Sequence, residues 1–357
     1  MSKQQKGYVS EDPTYARKAF IAVNSSEMKA KLDEYGVCVI PRLFTEEEVD
    51  KHRTLIIKDL EKHIRGFKYD DPQTWRILHD KAKGTHRLII QNHGFGWLPS
   101  VVNARVDRKI VDVFLSLWKQ VDKRQFCEKD LLSSSDALGI CLMPSRSDQP
   151  ITRNGKVSLA GYHRRGHDWL HWDQKPSDKV PSFQSFVNYF DVPKKVGSTL
   201  TCLVGSHKYQ KDFYKKFGKD NRFGMLESQK EYDFYVKEKG CEHVAIRAEE
   251  GDMVIWNSKT IHQGRSPVYK EDFGGVIKRL VVYSSLQPRY YATPKDLKRK
   301  KAAWEKLTTT THNAAGGVEL FNKKPRIWSK DDGEKELAVP VTNHPMLDQR
   351  QKLLYGI

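Results

Sequence analysis

The sequence predicts an α+β chain, mainly β with helical additions, in which helices pack around one β core. Three observations carry this. From Ala137 onward the chain is a series of short β-type runs separated by Gly, Pro and charged turns, the spacing of a sandwich or barrel. Before Ala137, apolar residues recur at helical intervals in two stretches. No internal repeat or long low-complexity segment interrupts either half.

The elements follow in chain order. Residues 1–24 read as a flexible arm. Ser26 to Glu34 has a helical pattern, and Gly36–Phe44 (GVCVIPRLF) reads as a buried strand. Thr45 followed by Glu48 forms a capping box, which starts a helix with Val49, Leu55, Ile56 and Leu60 on its apolar side. Gln91–Pro99 (QNHGFGWLP) is a Gly-rich aromatic stretch, readable as a lid or as a packed loop. Ala104 to Lys123 is expected to be one helix. The β-type runs are ALGICLMP, WLHWD, FQSFVNYFDV, STLTCLVGS, HVAIRAEEGDMVIW and RLVVYSSLQP, with helical insertions at Lys208–Phe217 and Ser228–Lys239. After Pro294 the chain returns to helix and loop. The expected organisation is an arm over 1–24, one domain over 25–290 with an insertion at about 208–240, and a packed extension over 291–357.

Composition narrows the function classes. Hydrophobic residues make up 38% of the 357, enough for a sizeable core, yet no run of about 18 apolar residues is present, so no membrane span is expected. The polar stretch Met1 to Asp12 lacks the apolar region of a secretory signal. Cys38, Cys127, Cys141, Cys202 and Cys241 are scattered, odd in number and without a CxxC pair, which points to reduced thiols and an intracellular, cytoplasmic setting. Lys295–Lys301 (KDLKRKK) reads as the polar face of a helix, with a nuclear address as the other reading. A net charge of +17 suits either a lysine-rich solvated surface or a face for polyanions, nucleic acid included.

The chemistry is concentrated in Gly166–Lys179, GHDWLHWDQKPSDK. Residues two apart on a strand point to one face, so His171 and Asp173 can reach one ion together. Alone, His-x-Asp is common and reads equally as a hydrogen-bonded surface pair. A third ligand from another strand would complete the 2-His-1-carboxylate facial triad with open positions that serves non-haem Fe(II) oxygenases. Glu249–Pro267 (EEGDMVIWNSKTIHQGRSP) supplies one: His262 ends a predicted strand just before a glycine, 89 residues after Asp173.

Four ordered segments resemble the phytanoyl-CoA dioxygenase-like family of Fe(II)/2-oxoglutarate-dependent oxygenases. They are Tyr35–Arg53 (YGVCVIPRLFTEEEVDKHR), LHWDQKP with its His-x-Asp, Val196–Lys208 (VGSTLTCLVGSHK) and Glu249–Pro267. The resemblance runs from residue 35 to about 288 and implies a double-stranded β-helix, a cupin-like jelly roll with a metal near its mouth. It implies His171, Asp173 and His262 as iron ligands, with 2-oxoglutarate as cosubstrate and dioxygen as oxidant. Arg279, which opens the strand RLVVYSSLQP, is expected to pair with the distal carboxylate of 2-oxoglutarate, because a guanidinium fork binds a carboxylate bidentately. Arg265, three residues after His262, is the other candidate. Gln184 is expected to face the cosubstrate or to pack in the core.

The implied reaction is hydroxylation of a small-molecule or polyanionic substrate, with release of succinate and carbon dioxide. Asp173 argues against halogenation, for which the family replaces this carboxylate with a small residue. Two other readings compete: a hydrolase with another metal in the same triad, and a catalytically silent scaffold that binds nucleic acid through its charge. His163 and His167 are expected to line the entrance or face solvent, and His207 to support its turn.

Overall fold

Two six-stranded sheets, packed face to face, form the centre of the protein in a computed structural model that describes residues 8, 10, 12–80, 88–122, 124–145, 169–192, 197–218, 224–265, 267, 275–321 and 339–357. The first sheet runs β1 (Thr14–Ala16), β10 (His243–Ile246), β8 (Leu200–Leu203), β12 (His262–Gly264), β6 (His171–Trp172) and β9 (Gly224–Met225). The second runs β2 (Val37–Ile40), β11 (Met253–Asn257), β7 (Phe183–Asn188), β13 (Ile277–Ser284), β5 (Leu138–Met143) and β3 (Ile89–Ile90). Every pairing in them is antiparallel except β1 with β10. A ribbon of β4 (Leu131–Ser133) and β14 (Leu286–Pro288) lies apart. This is an α+β protein with a cupin-like jelly-roll core.

The two-residue period of the strands separates two cores. Phe186, Val254, Trp256 and Val281 turn toward the first sheet and meet Leu200, Cys202 and Val244. Their neighbours Val187, Ile255, Leu280 and Val282 turn the other way, onto the helices. There α2 (Glu46–His63) presents Val49, Ile56 and Leu60. Its start is the predicted capping box: Thr45 Oγ1 accepts from the Glu48 N–H at 3.3 Å, and Glu48 Oε2 accepts from the Thr45 N–H at 2.8 Å. Leu55, expected on the apolar side, is exposed, and Ile57 is buried instead. The helix expected over 104–123 is two, α4 (Pro99–Arg105) and α5 (Arg108–Val121). The break falls at Asp107, whose side chain accepts from the Lys109 N–H at 2.9 Å as an N-cap.

Part of the expected N-terminal arm is paired. β1 joins the first sheet, and the Arg17 guanidinium grips Asp252 through two bonds of 3.0 and 3.1 Å. Asp252 is fully buried and also accepts from the backbone N–H groups of Arg42 and Glu249. The Gly-Asp signature is thus a structural hub. Gly251 before it has φ 81°, and a Cβ there would stand 2.4 Å from the Phe44 carbonyl.

The predicted insertion is helical: α6 (Gln210–Phe217), then α7 (Gln229–Asp233) running into a π turn over Phe234–Glu238. After β14 the chain forms α8 (Pro294–Glu305), a segment bridged at Thr310 and Leu320, and α9 (Gln349–Tyr355). Ala303, Leu307, Val341 and Leu354 of this extension join the helix-side core. In α8 the run expected to be a polar face has two buried members, Asp296 and Lys300, and the Lys300 Nζ donates to the Ser133 carbonyl at 2.6 Å. Among the described residues no helix is long and apolar enough to cross a membrane.

Candidate metal centre

His171 and His262 are direct cross-strand partners in the β6–β12 pair, and their ring centroids stand 4.4 Å apart. Each sits two residues after a carbonyl that takes its Nδ1 hydrogen: Trp169 O at 2.9 Å for His171 and Thr260 O at 2.8 Å for His262. A carbonyl can only accept, so Nδ1 carries the proton in both rings and Nε2 presents its lone pair, as a metal-ligating imidazole requires. Asp173, whose backbone N–H donates to the Ser258 carbonyl at 2.9 Å, brings its carboxylate between them. Oδ1 lies 3.8 Å from His171 Nε2, and Oδ2 lies 3.4 Å from His262 Nε2. One ligand atom from each residue falls within 4.8 Å of the others, the one such His/Cys/Asp/Glu group among the described residues.

Two tryptophans wall the imidazoles. Trp169 stacks on His171 at 4.4 Å and 11°, and Trp256 lies 5.4 Å from His262. Burial raises the Asp173 pKa, but His312, His171 and His262, in their protonated forms, outweigh it and hold the carboxyl well below the usual carboxylate range. It is therefore ionised at neutral pH, ready for a cation.

Arg279 projects from β13 on the same side as Val281, into the space between the sheets. It is 2% exposed, and Nε, Nη1 and Nη2 all lack a hydrogen-bond partner. Its Cζ lies 5.2 Å from the Phe186 ring, which is 5.7 Å from Trp256. The path from the triad to this guanidinium thus runs past two rings. A buried cation without a partner is costly unless something else brings an anion. Arg265 follows β12; its N–H donates to the Thr199 carbonyl at 2.7 Å, and its charge acts on Tyr15 of β1.

Gln184 turns from β7 toward the triad. Its amide nitrogen donates to Asp173 Oδ2 at 2.8 Å and to Ser258 Oγ at 3.1 Å, so both hydrogens are spent on the carboxylate and its support. It orients the acid; the cosubstrate would find no N–H left on it. His312 was not foreseen: its Nδ1 lies 4.0 Å from Asp173 Oδ2. Nothing in TTTTHNAAGG marks it, since its position depends on packing and not on spacing. Asp136, also unforeseen, is buried nearby; burial raises its pKa, against the lowering charge of His312.

A cavity of about 240 Å³ reaches Asp173 between the turn after β6 and the C-terminal extension, lined also by Gln174, Val180, Tyr291, Asn313 and Gly316. Gln91–Pro99 is a packed loop: Phe95 and Trp97 are buried, and Trp97 Nε1 donates to the Thr308 carbonyl at 3.0 Å. His207 has the expected turn role, with Nε2 at 3.2 Å from the Asp33 carbonyl and a pKa that burial pushes down to about 4. His163 and His167 lie outside the described residues.

The family profile described as phytanoyl-CoA dioxygenase matches residues 32–266. The Ava biosynthesis cluster protein O of Aspergillus versicolor is 23% identical over 286 residues, 78% of this chain and 82% of that protein. A solved structure from Salmonella typhimurium LT2 superposes with a TM-score of 0.53 at 14% identity, over 95% of this chain and 86% of its own. HygX from Streptomyces hygroscopicus, solved with nickel and 2-oxoglutarate, is 14% identical over 76% of this chain and 89% of its own, with a TM-score of 0.39. With the profile covering well over half of its length, the chain belongs to the phytanoyl-CoA dioxygenase family of Fe(II)/2-oxoglutarate-dependent oxygenases.

Proposed function

We propose that His171, Asp173 and His262 hold Fe(II), that Arg279 holds the distal carboxylate of 2-oxoglutarate, and that the enzyme hydroxylates a small molecule. The donor set fits the ion: two neutral imidazoles with Nε2 presented and one ionised carboxylate, converging from one side. The single observation that carries the cosubstrate is the buried Arg279 guanidinium with no partner of its own. A five-carbon diacid has one end for a metal and one for this fork. Bound iron and 2-oxoglutarate would supply the oxidising chemistry with dioxygen as oxidant, one oxygen atom going to succinate as carbon dioxide leaves and the other to the substrate hydroxyl.

The chain's own residues do the rest. Gln184 and the Trp169 and Thr260 carbonyls fix the orientation of the three ligands. Trp169, Trp256 and Phe186 keep the neighbouring space apolar. The cavity beside Asp173 includes Asp178 and Asp296 against one lysine, Lys179, which favours a compact neutral or cationic substrate over a polyanion. The +17 charge then belongs to the outer surface. Of the cysteines, only Cys127 is exposed and none forms a disulfide, which supports an intracellular setting.

The test is anaerobic addition of Fe(II) and 2-oxoglutarate, read by the weak visible metal-to-ligand charge-transfer band, followed by succinate release across substrate classes. The band should vanish in His171→Ala and require far more 2-oxoglutarate in Arg279→Ala. A band untouched by His171→Ala rejects the ligand set.

A further inference from the structure

The segment Thr308–Val318 is pinned along its length. The Thr310 N–H donates to the Ser135 carbonyl at 3.0 Å, and Thr310 Oγ1 accepts from the Ser135 N–H at 2.9 Å. Gln287 Oε1 accepts from the N–H groups of Ala314 and Ala315 at 2.8 and 2.9 Å, and Asp296 Oδ1 from those of Gly317 and Val318 at 3.0 and 2.9 Å. What this scaffold presents at its middle is His312. The ring sits 4.0 Å from Asp173 Oδ2 through Nδ1, while Nε2 is buried without a partner.

We propose that His312 is a positioning residue for Asp173: in the metal-loaded enzyme its imidazole N–H and the Gln184 amide together hold the Oδ2 side of the carboxylate. Three observations support the assignment. An imidazole with no hydrogen bond, fixed beside a carboxylate, is costly as it stands and becomes favourable once the gap closes. A separation of 4.0 Å is closed by a small ring shift or one bridging water. His312 also stands outside the group of three whose ligand atoms converge within 4.8 Å, so its role is to steady a ligand. Ligating carboxylates need such outer partners to keep one geometry. This inference extends the site beyond residue 266, where the family profile ends, and brings the C-terminal extension to the metal. It rests on the iron-ligand reading above.

The experiment uses the full chain and Co(II), an air-stable probe whose d–d absorption reports ligand geometry. His312→Ala should weaken Co(II) binding by about tenfold or more and shift the absorption, the range seen when outer partners of metal ligands are removed. His312→Gln, which restores a donor, should return affinity to within about threefold of the starting protein, consistent with recovery of that outer contact. His312→Phe fills the space without a donor and carries the test if the alanine variant does not fold; it should behave as alanine does. His171→Ala, run beside them, should abolish binding. If Ala and Phe variants bind Co(II) as the unaltered protein does, with the same spectrum, the inference is wrong. If they weaken binding but Gln does not recover it, His312 is a mere wall residue and the inference is equally wrong. If His171→Ala itself keeps full affinity, it is the ligand set that falls.

Discussion

Replacing Arg279 by methionine should have two effects of opposite sign. The guanidinium is 2% exposed and all three nitrogens lack hydrogen-bond partners, so the cosubstrate-free protein carries a buried cation with only a ring contact, to Phe186, described beside it. A buried charge without an ion partner carries a desolvation cost of several kcal/mol, partly offset by such a ring contact, so an apolar side chain of similar length should stabilise the cosubstrate-free protein. Losing one partner of a buried, hydrogen-bonded ion pair costs about 2–5 kcal/mol of binding. At 1.4 kcal/mol per decade, that is roughly 30-fold to several-thousand-fold in 2-oxoglutarate affinity. Urea unfolding of the metal-free protein should therefore show Arg279→Met with the higher midpoint. Titration of the metal-loaded protein should show its 2-oxoglutarate binding weakened by at least 30-fold, and added 2-oxoglutarate should stabilise only the unaltered protein. If Arg279→Met binds 2-oxoglutarate within threefold of normal while Arg265→Met loses it, the argument from the partnerless guanidinium is refuted and the assignment moves to Arg265.

Other expectations follow from the same contacts. Gln184→Leu removes the 2.8 Å donor to Asp173 Oδ2 and should weaken metal binding by about 10- to 100-fold with little change in fold, measured by Co(II) titration beside circular dichroism. Lys300 is buried, with Arg289 and Arg105 adding to the burial, and its pKa falls from the ordinary lysine range to about 7. Between about pH 7 and 10 the unfolded chain therefore binds more protons than the folded one, so stability should climb with pH, by up to about 1.4 kcal/mol per unit; Lys300→Met should flatten that slope in urea melts. At Gly96 a Cβ would stand 2.3 Å from Thr309 Cγ2 and 2.6 Å from the Asp136 carbonyl, so Gly96→Ala should cost about 1–3 kcal/mol, seen as a lower urea midpoint, and weaken Co(II) binding by disturbing the segment that carries His312.

The triad was legible because ligation restricts both residue type and spacing: an alternating strand puts His171 and Asp173 on one face whatever surrounds them. The jelly-roll core was legible for a similar reason, since β7, β11 and β13 stand out as short β-type runs, and the fold buries them on both faces along most of their length. What escaped depends on packing between distant segments. Leu55 and Ile57 are two residues apart and similarly apolar, and only the seating of α2 decides which is covered. Asp107 looked like an interior helix residue until its side chain capped α5. Gln184 points from β7 toward the site as expected, but which partner takes its amide was fixed by the turn after β6. His312 reaches Asp173 only because Gln287 and Asp296, far upstream, hold its loop.

The direct opposition of His171 and His262 across β6 and β12 constrains how relatives of this enzyme can diverge. Side chains alternate between faces, so gaining or losing a single residue between Trp169 and Asp173, or between Thr260 and His262, would send an imidazole to the wrong side and cost it the carbonyl that sets its tautomer. Insertions and deletions should therefore accumulate in the connections, while these two short tracts keep their length even in homologues whose substrates, and nearly every other residue, have changed.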